Sequence, residues 1–433
     1  MRLDSLVLAG VAAVALSCSS SEFSLAGVDA EADTGQTTDA AGDSVPIGDS
    51  APTVDEGVPG ESGTVDANAP CSVLAPAATV IYVDARNARE PVGTADCPFK
   101  SIREALSYVA GQPSAKRTIK VAGGTATAPL VYNETAGLVV KAATSIVGDG
   151  AERVTVTGGG ACLTAQCVFL MEGGSTIEGV TINGGARIGL AMIPVAFSAV
   201  TARRMVVTDS KGTGLSGVVV NGKGTVDLGP EFRSTRHTVA GLYVDEIFSV
   251  RVIAGGTIPN AFNENGGGIV LSRGFLNFEA GEVRGNAANG IAILSNVKST
   301  ISNLVAKDNG AAGVLVEGSA SLKMRSSMLV KNRVGLVFRY GTNELDLGTA
   351  TDFGKNIFGG PSASNNKAAI CLPHARTEKS PAVGNKWLVC GPTFLPLATE
   401  TCETLSGYQD IRYAPSVDGA GIPFDATGCD VGP

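Results

Sequence analysis

Histidine and aromatic residues are scarce in this chain of 433 residues, and each shortage excludes a class of site. The two histidines are His237 and His374 and there is no CxxC pair, so neither a zinc site nor a Ser-His-Asp triad is predicted. Aromatic residues make up only 5% of the chain, so ligand binding is expected to be weak unless they are gathered in one groove. No apolar run reaches the roughly 20 residues of a membrane-spanning helix.

The N-terminus has the layout of an export signal. Arg2 is followed by the apolar stretch 6–16 and then by small residues, which predicts a signal peptide over residues 1–17. The run from Ala15 to Cys18 resembles the bacterial lipobox, which implies a lipid on Cys18 and, through Ser19, sorting to the outer membrane or cell surface. An ordinary cleaved signal with an incidental cysteine is the alternative.

Residues 18–70 form a separate segment, predicted to be the lipidated cysteine and a disordered tether. From residue 19 onward it has eleven acidic residues, no lysine or arginine, and Phe23 as its one aromatic. Such a composition buries too little apolar surface to offset the entropy of ordering. Beyond the signal and the tether, 32 basic and 29 acidic residues remain, a balance that favours neither nucleic acid nor an anionic membrane as a partner.

The cysteines indicate an oxidising compartment. An even number in an exported chain predicts disulfides, although eight cysteines allow about 100 pairings. Sequence proximity suggests the pairs Cys71 with Cys97, Cys162 with Cys167, Cys371 with Cys390, and Cys402 with Cys429.

A glycine followed by alternating apolar residues recurs at intervals of 22 to 28 residues. The repeated glycines are Gly189, Gly217, Gly241, Gly268, Gly290, Gly313 and Gly335. This period, with short strands and no amphipathic helix, is typical of a coiled parallel sheet whose turns stack about 4.8 Å apart. The predicted fold is all-β, a right-handed parallel β-helix over residues 119–345. Leucine-rich repeats share the period but need a Leu and Asn scaffold that is absent.

Asparagines recur near these glycines. Asn286 and Asn309 lie four residues before their glycine and Asn332 lies three before, so we expect them to stack as a structural ladder at one corner.

Caps are predicted at both ends of the solenoid. Residues 71–118 would form the N-terminal cap, in which apolar spacing over 99–109 predicts a helix, with Ser101 and Glu104 as a capping box. Residues 346–433, with four cysteines, would form disulfide-stapled closing coils.

Several segments resemble the pectate-lyase-like right-handed parallel β-helix superfamily, and in particular an uncharacterised branch found among bacterial lipoproteins. The entry motifs are YVDA at 82–85, CPFKSIREAL at 97–106, IKVAGGT at 119–125, VYNE at 131–134 and IVGDG at 146–150; the closing motifs are LDLGT at 345–349, GKNIFG at 354–359 and GNKW at 384–387. The resemblance covers roughly residues 80–390 and implies the fold, whereas activity differs widely among such proteins. VYNE also resembles a pectin esterase segment that is mainly structural there.

No catalytic residues are predicted. The characteristic lyase and galacturonase motifs are missing, and no metal site is predicted. A speculative ligand groove combines Arg203, Arg204, Asp245, Glu246 and Glu264.

Three functions are consistent with the sequence. The first is a membrane-anchored, monomeric surface module that binds a polysaccharide or a surface protein without catalysis and without a cofactor. The second is a polysaccharide lyase or glycoside hydrolase, with calcium in the lyase case. The third is a structural spacer. A groove holding three or more acidic residues with an arginine would favour the enzyme.

Overall fold

A computed structural model describes most of the chain from Pro70 onward. The described residues are 70–75, 77–112, 116–162, 165–212, 214, 216–294, 296–339, 344–358, 368–372, 380–383, 385–387, 394–396, 409–413 and 424–425. The predicted signal peptide, Cys18, the tether, His374, Cys390, Cys402 and Cys429 lie outside these residues. Within them, no helix is long and apolar enough to cross a membrane.

Three long sheets of parallel strands form a right-handed β-helix, as the sequence predicts. Sheet A consists of Val80–Val83, Arg117–Val121, Thr144–Gly148, Thr176–Glu178, Ala199–Arg203, Thr225–Leu228, Ser249–Val252, Gly274–Phe278, Val297–Ser302, Ser321–Arg325 and Leu345–Asp346. Sheet B consists of Leu130–Glu134, Val154–Gly158, Thr181–Asn183, Met205–Thr208, Phe232–Thr235, Ala261–Asn263, Gly281–Arg284, Leu304–Lys307, Met328–Val330, Ile357–Phe358 and Lys386–Trp387.

Sheet C contains the repeated glycine strands and follows sheet B in each turn of the chain. Its parallel strands are Leu138–Val140, Ala165–Glu172, Ile188–Ile193, Val218–Asn221, Ala240–Glu246, Gly267–Leu271, Ile291–Ile293, Ala312–Glu317, Val334–Arg339, Ala368–Leu372, Gln409–Tyr413 and Phe394–Pro396. Gly160–Cys162 joins it as an antiparallel strand beside Ala165–Glu172. Ser380–Pro381 and Phe424–Asp425 form a separate two-stranded sheet.

The repeated glycines stack in one column at the start of the sheet C strands. Leu190 pairs with Val218 and Val218 with Leu242, and the same register continues to Leu336. Inward side chains of all three sheets, mainly Val, Ile and Leu with a few Phe, form one continuous core. The glycine period therefore marks one turn of the solenoid.

A buried ladder of side chains runs along the corner between sheets B and C. Asn286 donates from its amide nitrogen Nδ2 to Oδ1 of Asn309 at 2.8 Å, and Asn309 donates to Oδ1 of Asn332 at the same distance. The predicted ladder is confirmed and is longer than predicted, because Asn265 and His237 occupy the two preceding turns.

The glycine column leaves room for this ladder. A Cβ on Gly241 would lie 2.6 Å from Nδ2 of Asn265, and one on Gly313 would lie 2.8 Å from Nδ2 of Asn332. Both approaches are shorter than a carbon atom tolerates, so the glycine of one turn makes room for the asparagine of the next.

The N-terminal end of the solenoid is covered by a short helix, α1 (Ile102–Ala110), with the predicted capping box between Ser101 and Glu104. Sheet A already begins here, because Val80–Val83 pairs with Arg117–Val121. At the other end all three sheets extend to or beyond residue 345. The paired strands therefore pass both predicted boundaries of the β-helix.

Two disulfides join cysteines that sequence proximity pairs. Cys71 is bonded to Cys97, and Cys162 to Cys167. Cys371 is also disulfide-bonded.

Candidate functional site

A cleft of about 290 Å³ opens at the corner where sheet A turns into sheet B. It exists partly because glycines stand where other turns carry side chains. Gly179 has a φ of +68°, and a Cβ there would collide with the carbonyl oxygen of Gly148. The next two turns place the larger side chains of Arg204 and Glu231 at the same corner, where they line the cleft beside Gly179.

Four acidic residues and two arginines line the cleft. They are Asp149, Glu152, Glu178, Glu231, Arg204 and Arg233. They come from four successive turns, so the register of the β-helix brings them together.

Glu178 is the most buried of these acids, with 7% of its surface exposed. Nε of Arg203 donates to its Oε2 at 2.6 Å, and Arg204 forms an ion pair with its Oε1. Arg203 faces Glu178 across neighbouring strands, whereas Arg204 has a φ of 48° at the corner itself. Both oxygens of Glu178 are therefore held by guanidinium groups that remain about half exposed.

Two other cleft acids accept hydrogen bonds from the protein backbone. Oε1 of Glu231 accepts a hydrogen bond from the amide of Thr257 at 2.6 Å, and this bond lowers the pKa of the Glu231 carboxyl. Oδ2 of Asp149 accepts from the amide of Gly123 at 2.7 Å. These two acids thus act as fixed acceptors.

Arg233 and Glu152 extend from the cleft into solvent. Neither forms an ion pair with any residue that the structure describes. Arg233 is fixed at its backbone between Val206 and Ala261 in sheet B. Its guanidinium, with five N–H donors, is the cleft group best placed to bind an added acceptor.

The five residues of the speculative groove lie at three different corners. Arg203 and Arg204 lie at the cleft, as described. Asp245 and Glu246 end a sheet C strand before the turn into sheet A, where Arg273 lies 3.5 Å and 3.7 Å from them. Glu264 follows a sheet B strand at the ladder corner. These residues therefore do not share one groove.

The basic segment from Arg233 to His237 is likewise divided. Arg236 pairs with Asp209 at 2.6 Å, and His237 is buried in the ladder. Burial lowers the pKa of its imidazole to about 4, so this histidine is neutral at pH 7.

Glu134, in the VYNE segment, binds the start of α1 and therefore has a structural role. Its Oε1 accepts from the amide of Ile102 at 2.9 Å at the start of α1, and burial raises the pKa of its carboxyl. Tyr132 of the same segment donates from its hydroxyl to the carbonyl oxygen of Ala122 at 2.8 Å. The sequence analysis did not single out the cleft acids, because they lie at the corner between sheets A and B, where no residue type recurs from turn to turn.

Among the described residues, no group of three or more His, Cys, Asp or Glu side chains is arranged to hold a metal ion.

Residues 87–394 match the model of a family described as "Protein of unknown function (DUF1565)". The chain belongs to this family. No curated protein matches it significantly.

Several solved structures resemble this DUF1565 chain in fold. The A-module of the Azotobacter vinelandii mannuronan C-5 epimerase AlgE4 is 15% identical, with 76% of this chain and 95% of that chain covered and a TM-score of 0.46. The AlgE6 A-module from the same organism is 14% identical, with the same coverage and a TM-score of 0.45. The GH136 lacto-N-biosidase from Eubacterium ramulus is 11% identical, with 77% and 68% covered and a TM-score of 0.31.

Proposed function

We propose that this protein is exported, carries lipid on Cys18, and displays its β-helix at the cell surface to bind a polysaccharide in the corner cleft without cleaving it. The acidic tether would hold the β-helix away from the membrane. The site would require neither a cofactor nor a second copy of the chain.

The arrangement around Glu178 carries the proposal. Its carboxylate fixes Arg203 and Arg204 while leaving both guanidinium groups about half exposed. A hydroxyl-rich ligand needs donors and acceptors at fixed positions, since each flexible side chain ordered on binding costs free energy. The β-helix corner provides these groups already ordered, and Arg233 adds further donors.

Catalysis is the second candidate because four acids and two arginines share one cleft, which meets the criterion for an enzyme set out from the sequence. A glycosidase needs one carboxyl that is protonated near neutral pH, beside a second that is free to act as base or nucleophile. Here Glu178 is held by two arginines, and the pKa of Glu231 is lowered by backbone donors. Among the described residues, burial raises the pKa of Glu134, but this carboxyl lies under α1 and not in the cleft. Binding without cleavage is therefore the preferred function.

The test measures retention and cleavage together. The purified full-length protein is screened by affinity electrophoresis against polygalacturonate, alginate, xylan and dextran, with and without calcium, and chain length is measured afterwards. Retention without shortening is expected on at least one polymer. Arg233→Ala should weaken retention by at least about tenfold, the loss expected for a hydrogen bond to a charged group.

The matched control is Arg284→Ala, because Arg284 is also exposed on sheet B and lies two turns further along. It should bind as the unmodified protein does. Shortened polymer would instead support the enzyme, and Glu178→Gln would then be tested for loss of cleavage. Absence of both retention and cleavage would contradict both candidates and favour a spacer.

A further inference from the structure

Three phenylalanines are exposed at the corner where sheet C turns into sheet A, on the other edge of sheet A from the cleft. Phe197 is fully exposed, and Phe248 and Phe275 are 64% and 45% exposed. The rings of Phe248 and Phe275 lie on neighbouring turns with centroids 6.0 Å apart and tilted by 52°. Phe197 lies two turns before Phe248 on the same edge. We call these three residues the phenylalanine strip.

A row of polar side chains runs beside this strip on the outward face of sheet A. It contains Thr201, Asp227, Arg251 and Asn277, which pair with one another on successive strands. Arg251 and Asp227 form two hydrogen bonds, of 2.6 Å and 2.7 Å, which fix their positions. Because alternate residues of a strand face the same side, Asn277 lies next to Phe275 on this face.

The size of the strip argues against a protein partner. A fully buried aromatic side chain covers about 150–250 Å², so one fully exposed ring and two about half exposed offer roughly 450 Å². A stable protein interface needs about 800 Å² from each partner. The strip is too small for a second copy of this chain, and its polar neighbours would be poorly matched to an apolar partner surface.

A pyranose ring has the chemistry that this surface matches. One face of the ring presents C–H groups that pack on an aromatic ring, while its edge carries hydroxyls. The phenylalanine strip supplies aromatic faces along the helix axis, and Arg251 and Asn277 supply polar groups beside them, with Arg251 held in place by the buried Asp227.

We infer that the phenylalanine strip and its polar row form a second glycan-binding surface, on which sugar rings stack against Phe248 and Phe275. The inference adds a subsite to the proposed polysaccharide binding but does not depend on the cleft. Phe197 extends the strip by two further turns, so the surface suits a polymer better than a monosaccharide.

The experiment uses the full-length protein with the same four polymers. Phe248→Ala and Phe275→Ala are each expected to weaken retention by about tenfold, the size of one aromatic contact. Phe248→Trp keeps an aromatic face, so it should be retained by the polymer as strongly as the unmodified protein. The emission of the indole introduced at this position should change when polymer is added. Phe353→Ala is the matched control, since Phe353 is 53% exposed elsewhere on the chain.

The outcomes separate this inference from the proposed function. Loss in the Phe248 and Phe275 variants, with unchanged binding in Arg233→Ala, would support the strip and overturn the cleft. Loss in Arg233→Ala alone would overturn the strip and support the cleft. If the phenylalanine variants change the oligomeric state in sedimentation but not polymer retention, the strip contacts protein and the inference fails. Retention of none of the four polymers would overturn both.

Discussion

The backbone amide of His237 donates to Oδ1 of Asn265 at 3.0 Å, which places an imidazole in line with the asparagine ladder. The ring reproduces the bonds of an asparagine. Its Nδ1 accepts from the amide of Ser210 at 3.1 Å, and its Nε2 lies 3.2 Å from the carbonyl oxygen of Val207. These contacts assign the proton to Nε2.

Replacement of His237 by asparagine should therefore preserve the ladder. His237→Asn keeps an acceptor for Ser210 and a donor for Val207, so the free energy of unfolding should change by less than about 1 kcal/mol. His237→Ala removes both partners from a buried site and should cost about 1–3 kcal/mol or more. Urea unfolding of both variants at pH 8 measures the difference. Equal losses in the two variants would show that the hydrogen bonds contribute little.

The pH dependence of stability should carry the signature of the same residue. Burial lowers the pKa of His237 to about 4 from 6.5. Between these values the unfolded chain binds a proton that the folded chain does not, so stability is fully present above pH 6.5 and is lost as the pH falls to about 4. The loss is on the order of 3 kcal/mol.

His237→Asn provides the control for this pH effect, since it leaves His374 and all carboxyls unchanged. The difference in unfolding free energy between the unmodified protein and this variant should grow steadily from pH 7 to pH 4. Asp209 and Arg236 adjoin the imidazole, and both remain charged over this range. A difference that does not vary with pH would contradict the burial of a neutral imidazole.

The repeat is predictable from sequence because one glycine per turn recurs beside one ladder residue. Gly241 and Gly268 follow His237 and Asn265 by four and three residues, the same spacing as at Asn286 and Asn332, so the spacing alone could have found the whole ladder. The cleft is not predictable in this way. Asp149, Glu178, Arg204 and Glu231 are also about one turn apart, at intervals of 29, 26 and 27 residues, but their residue types differ from turn to turn, so no repeated motif marks them.

Glu134 gives a prediction of the opposite sign to that for His237. Burial raises the pKa of its carboxyl above the ordinary value of 4.5. The unfolded chain releases this proton first, so the contribution to stability is present below pH 4.5 and is lost as the pH rises through the folded pKa. Glu134→Gln retains an acceptor for the amide of Ile102, so its melting temperature at pH 7 should equal or exceed that of the unmodified protein.

The advantage of Glu134→Gln should disappear at pH 4, where the glutamate is protonated. Glu104→Ala, which removes the acceptor that a glutamine would keep, is the control in the same cap. The carboxylate of Glu104 accepts from the amides of Lys100 and Ser101, so its loss should lower stability at pH 7 by about 0.5–1 kcal/mol. If Glu134→Gln lowers the stability at pH 7 more than the Glu104 variant does, the ionised carboxylate of Glu134 stabilises the cap. That result would contradict the prediction.

The two described disulfides should differ in their effects on stability because they close loops of different length. Cys71 and Cys97 are separated by 26 residues, whereas Cys162 and Cys167 are separated by 5. In the chain-entropy treatment, cross-links of these lengths stabilise the fold by about 3.5 and about 2 kcal/mol. The double alanine variant at Cys71 and Cys97 should therefore lose more stability, by about 1.5 kcal/mol, in urea unfolding under oxidising conditions.

Reduction supplies the control for the alanine substitutions themselves. With excess dithiothreitol every disulfide opens, so the difference between the two double variants should shrink to the difference in side-chain packing. Cys97, Cys162 and Cys167 are almost fully buried whereas Cys71 is partly exposed, so the variant at Cys162 and Cys167 should lose slightly more packing. Equal losses under oxidising conditions would mean that the constraint on the unfolded chain is not what these cross-links contribute. A larger loss at Cys162 and Cys167 would mean that this bond holds the antiparallel strand Gly160–Cys162 against sheet C.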